Sequence, residues 1–207
     1  MLGRSQRRSR HRPPHPPRHA ERVKPSEVLR ELDGYASRHP GEGPQLQRFR
    51  SLLQDTPAPF SRDQWEPGHV TLSACVISAD GRWVLLVHHA KLKRWLQPGG
   101  HAEDSDESAL AGALREAREE SALDSLRSQA EAEATGPVDI DIHRIPARAA
   151  EPAHLHYDLR YALIAERDDE PAPSEESQDV RWVRVGDLRH FTEEESVTRL
   201  VARCLEA

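Results

Sequence analysis

Apolar residues recur along this chain in two rhythms, and the change from one to the other lays out its elements. Val28, Leu29, Leu32 and Tyr35 fall on one side of a helical wheel, and Leu46, Phe49, Leu52 and Leu53 repeat that spacing. The pattern predicts a helix from Ser26 to near His39, capped by Ser26 and stopped by Pro40, and a second helix over residues 45–54. From residue 69 the rhythm changes. Residues 69–77 and 82–88 are rich in apolar and β-branched side chains around an Ala79-Asp80-Gly81 turn, which predicts two strands. Residues 138–143 alternate strictly, and 154–164 do so at their start, which puts His154, His156, Asp158 and Arg160 on one strand face. A strand at 179–185 precedes a closing helix striped by Val197, Leu200, Val201, Cys204 and Leu205. Thr192 and Glu195 there have capping-box spacing.

The helix predicted between these strands carries the candidate chemistry. Ala109, Leu110, Ala113, Leu114 and Ala117 form a stripe suited to a sheet, while Glu116, Glu119 and Glu120 stand at i, i+3 and i+4 on one face. Three carboxylates placed together repel one another. A hard divalent cation removes that repulsion, because Mg²⁺ and Mn²⁺ take oxygen ligands. Gly99 and Gly100 stand ahead of the helix, where a backbone without Cβ approaches a ligand closely and turns a carbonyl toward a cation. The plainer alternative is a solvated charged face with Arg115 and Glu119 paired one turn apart. The glycine pair, the one-sided triplet and the flanking strands favour the metal reading.

This stretch resembles the Nudix hydrolase signature: Gly, five residues, Glu, seven residues, Arg-Glu, an apolar residue, any residue, Glu-Glu, any residue, Gly, an apolar residue. The chain matches it at Gly100, Glu107, Arg115, Glu116, Ala117, Glu119, Glu120 and Leu123. The loop carries one extra residue. Asp106 keeps the spacing from Gly100 and Glu107 keeps the spacing from Arg115; helical phase favours Glu107 as the partner of Arg115. Ala122 replaces the final glycine, so the helix end either needs no positive φ or is strained.

The resemblance spans roughly residues 68–205 and its tight part only Gly99 to Leu123. It implies an α/β fold, an α/β/α sandwich around a mixed β-sheet. It further implies hydrolysis of a diphosphate linkage in a nucleoside diphosphate joined to a moiety X. Mg²⁺ or Mn²⁺ would be held by Glu116, Glu119, Glu120 and Gly100, with Arg115 and Glu107 tying the loop to the helix.

Composition adjusts this picture at its edges. A chain of 207 residues has room for one ordinary domain with appendages. Residues 1–24 are Pro-, Arg- and His-rich, carry a net +7 and hold almost no apolar residues, so they are expected to be a disordered tail. Residues 25–60 are read as an N-terminal helical hairpin packed on the catalytic domain, with homodimer contact as its alternative use, and 61–207 as the Nudix domain. The whole chain carries −6, leaving −13 on residues 25–207, a poor surface for polyanions; nucleic acid is disfavoured as a partner. No apolar run is long enough for a bilayer span, and no secretory h-region is seen. Cys75 and Cys204 are read as reduced buried thiols of a cytoplasmic protein.

The remaining candidates concern the substrate. Lys93, Arg94 and Trp95 offer cations and a ring for phosphates and a base, or else an exposed loop. His154, His156 and Asp158 could bind a metal or orient phosphates, or form an internal polar network or a solvated face. Glu175 and Glu176 are candidates for a general base. Two rival functions use the same fold: a ligand sensor or interaction module, and an isoprenoid diphosphate isomerase, which needs a catalytic cysteine for which Cys75 is a weak candidate.

Overall fold

The computed structural model describes residues 23–129, 136–148, 151–165, 170–174 and 177–207. The basic tail lies outside them up to residue 22, as do Glu175 and Glu176. Two helices come first, α1 (Pro25–Arg38) and α2 (Gly43–Asp55), joined through a 3-10 turn at Pro40–Glu42. The cap expected at Ser26 is displaced. Lys24 holds the N-cap position and Pro25 opens the helix, where its fixed φ fits and its missing N–H costs nothing.

The strands are β1 (His69–Ser78), β2 (Trp83–His89), β3 (Arg94–Leu96) and β4 (Gly99–His101), then, beyond helix α3 (Ala109–Ser121), β5 (Arg127–Ser128), β6 (Asp139–Ile145), β7 (His154–Ala165) and β8 (Ser177–Arg184). A four-residue helix α4 (Leu188–Phe191) leads into α5 (Glu195–Glu206). Thr192 does not cap α5 in the expected way; its hydroxyl accepts from the Glu194 amide at 3.3 Å, and Glu194 is the N-cap.

All eight strands join one mixed sheet. β1 runs parallel to β7 along its whole length, from His69 opposite His156 to Ser78 opposite Ala165, and the other pairings are antiparallel. On its other edge β1 pairs with β4 at Thr71–Ser73 and with β2 at Ile77. Every residue of β1 is buried, as expected of a strand covered on both faces.

Alternation along β1 and β2 sorts the layers. Ala74, Val76, Leu85 and Val87 pack with Ala117 and Leu123 around α3, whereas Cys75, Ile77, Val84 and Leu86 pack with Val197, Leu200, Val201 and Cys204 of α5. Val70 and Leu72 join Ala109 and Ala113 in a third cluster with Leu32, Tyr35, Phe49 and Leu52. The helical pair therefore closes the core on the α3 side. The result is the α/β/α sandwich around a mixed sheet that the resemblance implied. Cys75 and Cys204 are free and buried, which leaves Cys75 unsuited to the exposed acid–base role an isomerase would require.

Candidate active site

Helix α3 is pinned at its start by Ser108, whose hydroxyl accepts from the Ala111 amide at 3.1 Å. Gly112 packs it closely: an added Cβ would lie 2.4 Å from Leu72 Cδ1 and 2.8 Å from Asp106 Oδ2. Because Ser108 is the N-cap, residue 107 lies outside the helix, and helical phase does not govern it. Glu107 is exposed. The partner of Arg115 is Asp106, in place of the expected Glu107. Asp106 receives both arms of the guanidinium, Nε to Oδ1 at 3.0 Å and Nη2 to Oδ2 at 3.0 Å, and also accepts from the Glu103 amide at 2.8 Å.

Arg115 is the hub of the loop. Its Nη2 donates to the His101 carbonyl at 2.9 Å, and its Nη1 donates to Glu116 at 2.9 Å and Glu119 at 3.2 Å. The Asp106 pairing raises the Arg115 pKa further, so the cation is permanent. Glu116 is half-buried and more enclosed than Glu119. Burial pushes its carboxyl upward, Arg115 opposes that, and the neighbouring Glu119 and Glu103 charges add to it. Glu119 is largely exposed. Glu120 accepts from the Gly99 amide at 2.9 Å, which fastens the helix to β4.

Glycine is required at two points of β4. A Cβ at Gly100 would lie 2.6 Å from both oxygens of Glu116, and one at Gly99 would lie 2.2 Å from Ser73 Oγ. The strand thus presents bare backbone between Glu116 and Glu120. That arrangement, with an enclosed carboxylate, a second one on the adjacent amide and a third exposed beside them, is an all-oxygen donor set of the kind hard cations prefer. Its mutual repulsion is offset on one side only, by Arg115. The residues fit Mg²⁺ or Mn²⁺.

At its far end α3 stops on Ala122, which has φ +56° and ψ +22°. Of the two readings of the missing glycine, the strained one holds: an L-residue occupies the left-handed region.

The other face of β4 is polar as well. Asp158 accepts from Thr71 at 3.0 Å, Ser73 at 2.8 Å, Arg160 Nε at 2.7 Å and Gln97 at 3.4 Å. Arg160 is buried and also reaches Asp139. Of the readings open for His154, His156 and Asp158, the solvated face is excluded; Asp158 anchors an internal network, and the two histidines join His69 and His101 in a cluster. Burial, then the neighbouring rings, lower His156 to about 2; burial, His69 and Arg62 lower His101 to about 4. Nothing local in the sequence joins these residues. The available signal was the polar alternation His69, Thr71, Ser73 at the start of an otherwise apolar strand.

Lys93, Arg94 and Trp95 lie at the sheet edge. Lys93 takes φ +56°, Arg94 is paired with Glu194, and Trp95 packs against His88 and Phe191 with Arg181 over its ring. Arg94 is therefore engaged in a salt bridge with the N-cap of α5. Among the described residues no helix is long and apolar enough to cross a membrane.

A family model described as the NUDIX domain matches residues 67–204. The chain belongs to the Nudix family. A Nudix-family hydrolase from Clostridium perfringens is similar in structure, with 22% identity, a TM-score of 0.53, and 67% of this chain and 96% of that one covered. The dihydroneopterin triphosphate pyrophosphohydrolase of E. coli aligns at 17% identity with a TM-score of 0.52, again over 67% of this chain and 96% of that one. No curated protein matches the sequence.

Proposed function

We propose that this protein is a divalent-metal-dependent hydrolase that cleaves a diphosphate linkage in a nucleoside diphosphate joined to a moiety X. The observation that carries the reading is the joint placement of Glu116 under Gly100 and Glu120 on the Gly99 amide, locked by the Asp106–Arg115 clamp. Glu116, Glu119, Glu120 and the Gly100 carbonyl are the proposed holders of Mg²⁺ or Mn²⁺. When bound, that cation supplies charge neutralisation for the phosphates and acidifies a water molecule.

The chain's own residues do the rest. Arg115 donates to Glu116 and works against the upward push that burial exerts on its carboxyl. Asp106 aims Arg115, so it is a positioning residue, and Glu107 has no part in the clamp. The glycine pair lets a diphosphate approach the backbone without a side chain in the way. On the polar face, Gln97 Oε1 is buried with no hydrogen-bond partner, so it is suited to accept from a substrate N–H. Half-buried Trp95 and exposed Lys93, on the segment leading to Gln97, are the candidates for a base and a phosphate. The acidic body favours a small nucleotide derivative over a nucleic acid.

A substrate panel tests the reading. Nucleoside triphosphates, dinucleoside polyphosphates, nucleotide sugars and dinucleotide coenzymes are incubated with Mg²⁺ or Mn²⁺, and the released phosphate, pyrophosphate and mononucleotides are measured. Metal-dependent release from one class, abolished by Glu120→Gln, is expected and identifies X. Tight binding of one class without release at either metal would overturn the hydrolase reading in favour of a ligand sensor.

A further inference from the structure

On the sheet face turned away from α3, three strands bring histidines together. His69 opens β1, His101 ends β4 and His156 lies near the start of β7; the registers Thr71 opposite His101 and His69 opposite His156 set the rings side by side. The His69 ring centroid is 5.1 Å from that of His101 and 4.8 Å from that of His156, and His101 and His156 are 5.3 Å apart. One potential ligand atom from each of the three lies within 4.8 Å of the other two. Among the described residues this is the sole trio of His, Cys, Asp or Glu drawn together so closely.

His69 shows why this is more than ring packing. It is fully buried, and its Nδ1 lies 3.1 Å from the Gln64 carbonyl oxygen. A carbonyl only accepts, so Nδ1 carries the proton and Nε2 carries the lone pair. That Nε2 atom is buried with no hydrogen-bond partner. A buried acceptor left without a donor is destabilising, so a ligand for its lone pair is favoured. A backbone carbonyl on the opposite nitrogen is also the usual way a metal-binding imidazole is oriented. His154 supports His156 in a similar manner: its Nδ1 is 2.8 Å from the Pro152 carbonyl oxygen and its Nε2 is 3.2 Å from His156 Nε2. The Trp65 ring, 4.8 Å from that of His154, borders the cluster with an apolar wall.

We propose that His69, His101 and His156 bind a transition-metal dication of the zinc class, at a centre separate from the carboxylate site. The donor set decides the metal. Three imidazoles and no carboxylate suit Zn²⁺, Co²⁺ or Ni²⁺ and are poorly matched to Mg²⁺, which demands oxygen. Nitrogens held about 2.0–2.1 Å from a tetrahedral ion stand about 3.4 Å apart, so the rings must draw in by on the order of 1 Å. Three protein ligands leave a fourth position for water or an anion. Separation from the carboxylates follows from strand alternation: Gly100 faces Glu116, and His101, the next residue, faces the other way. The two centres share one connection, because the His101 carbonyl accepts from Arg115. Metal at the histidines would steady the loop that aims Glu116.

The test uses the full chain with His11, His15 and His19 changed to Gln in every sample, so that metal taken up by the tail is not counted. Zn²⁺ stoichiometry and affinity are measured by calorimetry, and Co²⁺ substitution is read by its tetrahedral visible absorption. The expected result is one Zn²⁺ per chain and a raised thermal midpoint. Uptake persists in Glu116→Gln/Glu120→Gln, is lost in His69→Gln/His156→Gln, and is weakened at least about 10-fold in His101→Gln. Absence of uptake, uptake lost with the glutamates, or uptake unchanged in the histidine variants would overturn it. Should the double variant fail to fold, half-buried His101 decides alone: unchanged Zn²⁺ affinity in His101→Gln contradicts the proposal.

Discussion

The two sides of β4 make an instructive pair. On one side, Gly100 opens onto Glu116 and the groups that matter come from a single loop and helix, Gly99 to Glu120. On the other side, His101 meets His69 and His156, which reach it from strands distant in the chain. The first site is contiguous and partly open; Glu119 stays exposed and Arg115 offsets only part of the carboxylate charge. The second is assembled by register, with His69 buried, His101 and His156 half-buried, and imidazoles as its donors. Oxygen donors near water suit a labile hard cation that arrives with phosphates, whereas enclosed imidazoles suit a retained borderline one. A three-residue strand thus carries two different donor chemistries on its two faces.

The largest expected effect breaks the carboxylate side. Glu116→Gln or Glu120→Gln should lower turnover by at least about 100-fold, beyond the 10–100-fold typical of losing a residue that merely supports a ligand. Melting temperature should stay close to that of the parent, because both groups sit at the rim of the core; full activity in either variant contradicts the assignment.

Next comes the loop acid. Asp106→Asn leaves a mostly buried Arg115 without its bidentate partner and should cost about 3 kcal/mol in chemical denaturation, with activity falling about 10–100-fold. Glu107→Gln should change neither by a measurable amount. Equal effects of the two would erase the distinction between them.

Ala122→Gly sharpens the account at the far end of α3. It removes a left-handed penalty of about 1–2 kcal/mol and adds part of that back as glycine entropy, so a gain of about 0.5–1 kcal/mol is expected by denaturant midpoint. A loss would mean that the Ala122 side chain packs usefully.

A smaller, pH-dependent effect probes the polar face. Burial would raise the Asp141 carboxyl, but the His143 hydrogen bond, the Arg160 charge and the Arg199 hydrogen bond outweigh it and hold it well below the ordinary range. A carboxyl depressed in the folded state stabilises it above its unfolded pKa of about 3.9 and loses that contribution as pH falls through and below this value. Asp141→Asn should flatten that acid-side loss in a stability–pH profile. The smallest change is expected at the exposed Arg94–Glu194 pair, where Arg94→Ala should cost less than about 1 kcal/mol.

Most of the fold was legible because its periodicities are strong. The strand read at 69–77 is observed at His69–Ser78, and the helix read at 45–54 at Gly43–Asp55. The carboxylate face was legible because helix geometry fixes i, i+3 and i+4 without tertiary information. Asp106 was displaced in favour of Glu107 because helical phase was extended past Ser108, where the helix has not begun. The capping residues shifted for a related reason: Pro25 and Glu194 compete for the same end positions as Ser26 and Thr192. The histidine cluster had no local signal beyond alternation in β1, since parallel pairing of β1 with β7 is a long-range choice that no short window encodes.

The most direct test of the central claim is steady-state hydrolysis of the best panel substrate against Mg²⁺ concentration, for the parent chain and for Glu120→Gln at equal folded concentration. The account predicts a saturable metal dependence in the parent, and in the variant turnover at least about 100-fold lower with metal half-saturation moved upward. Metal-independent turnover, or a Glu120→Gln curve that overlays the parent, would contradict it.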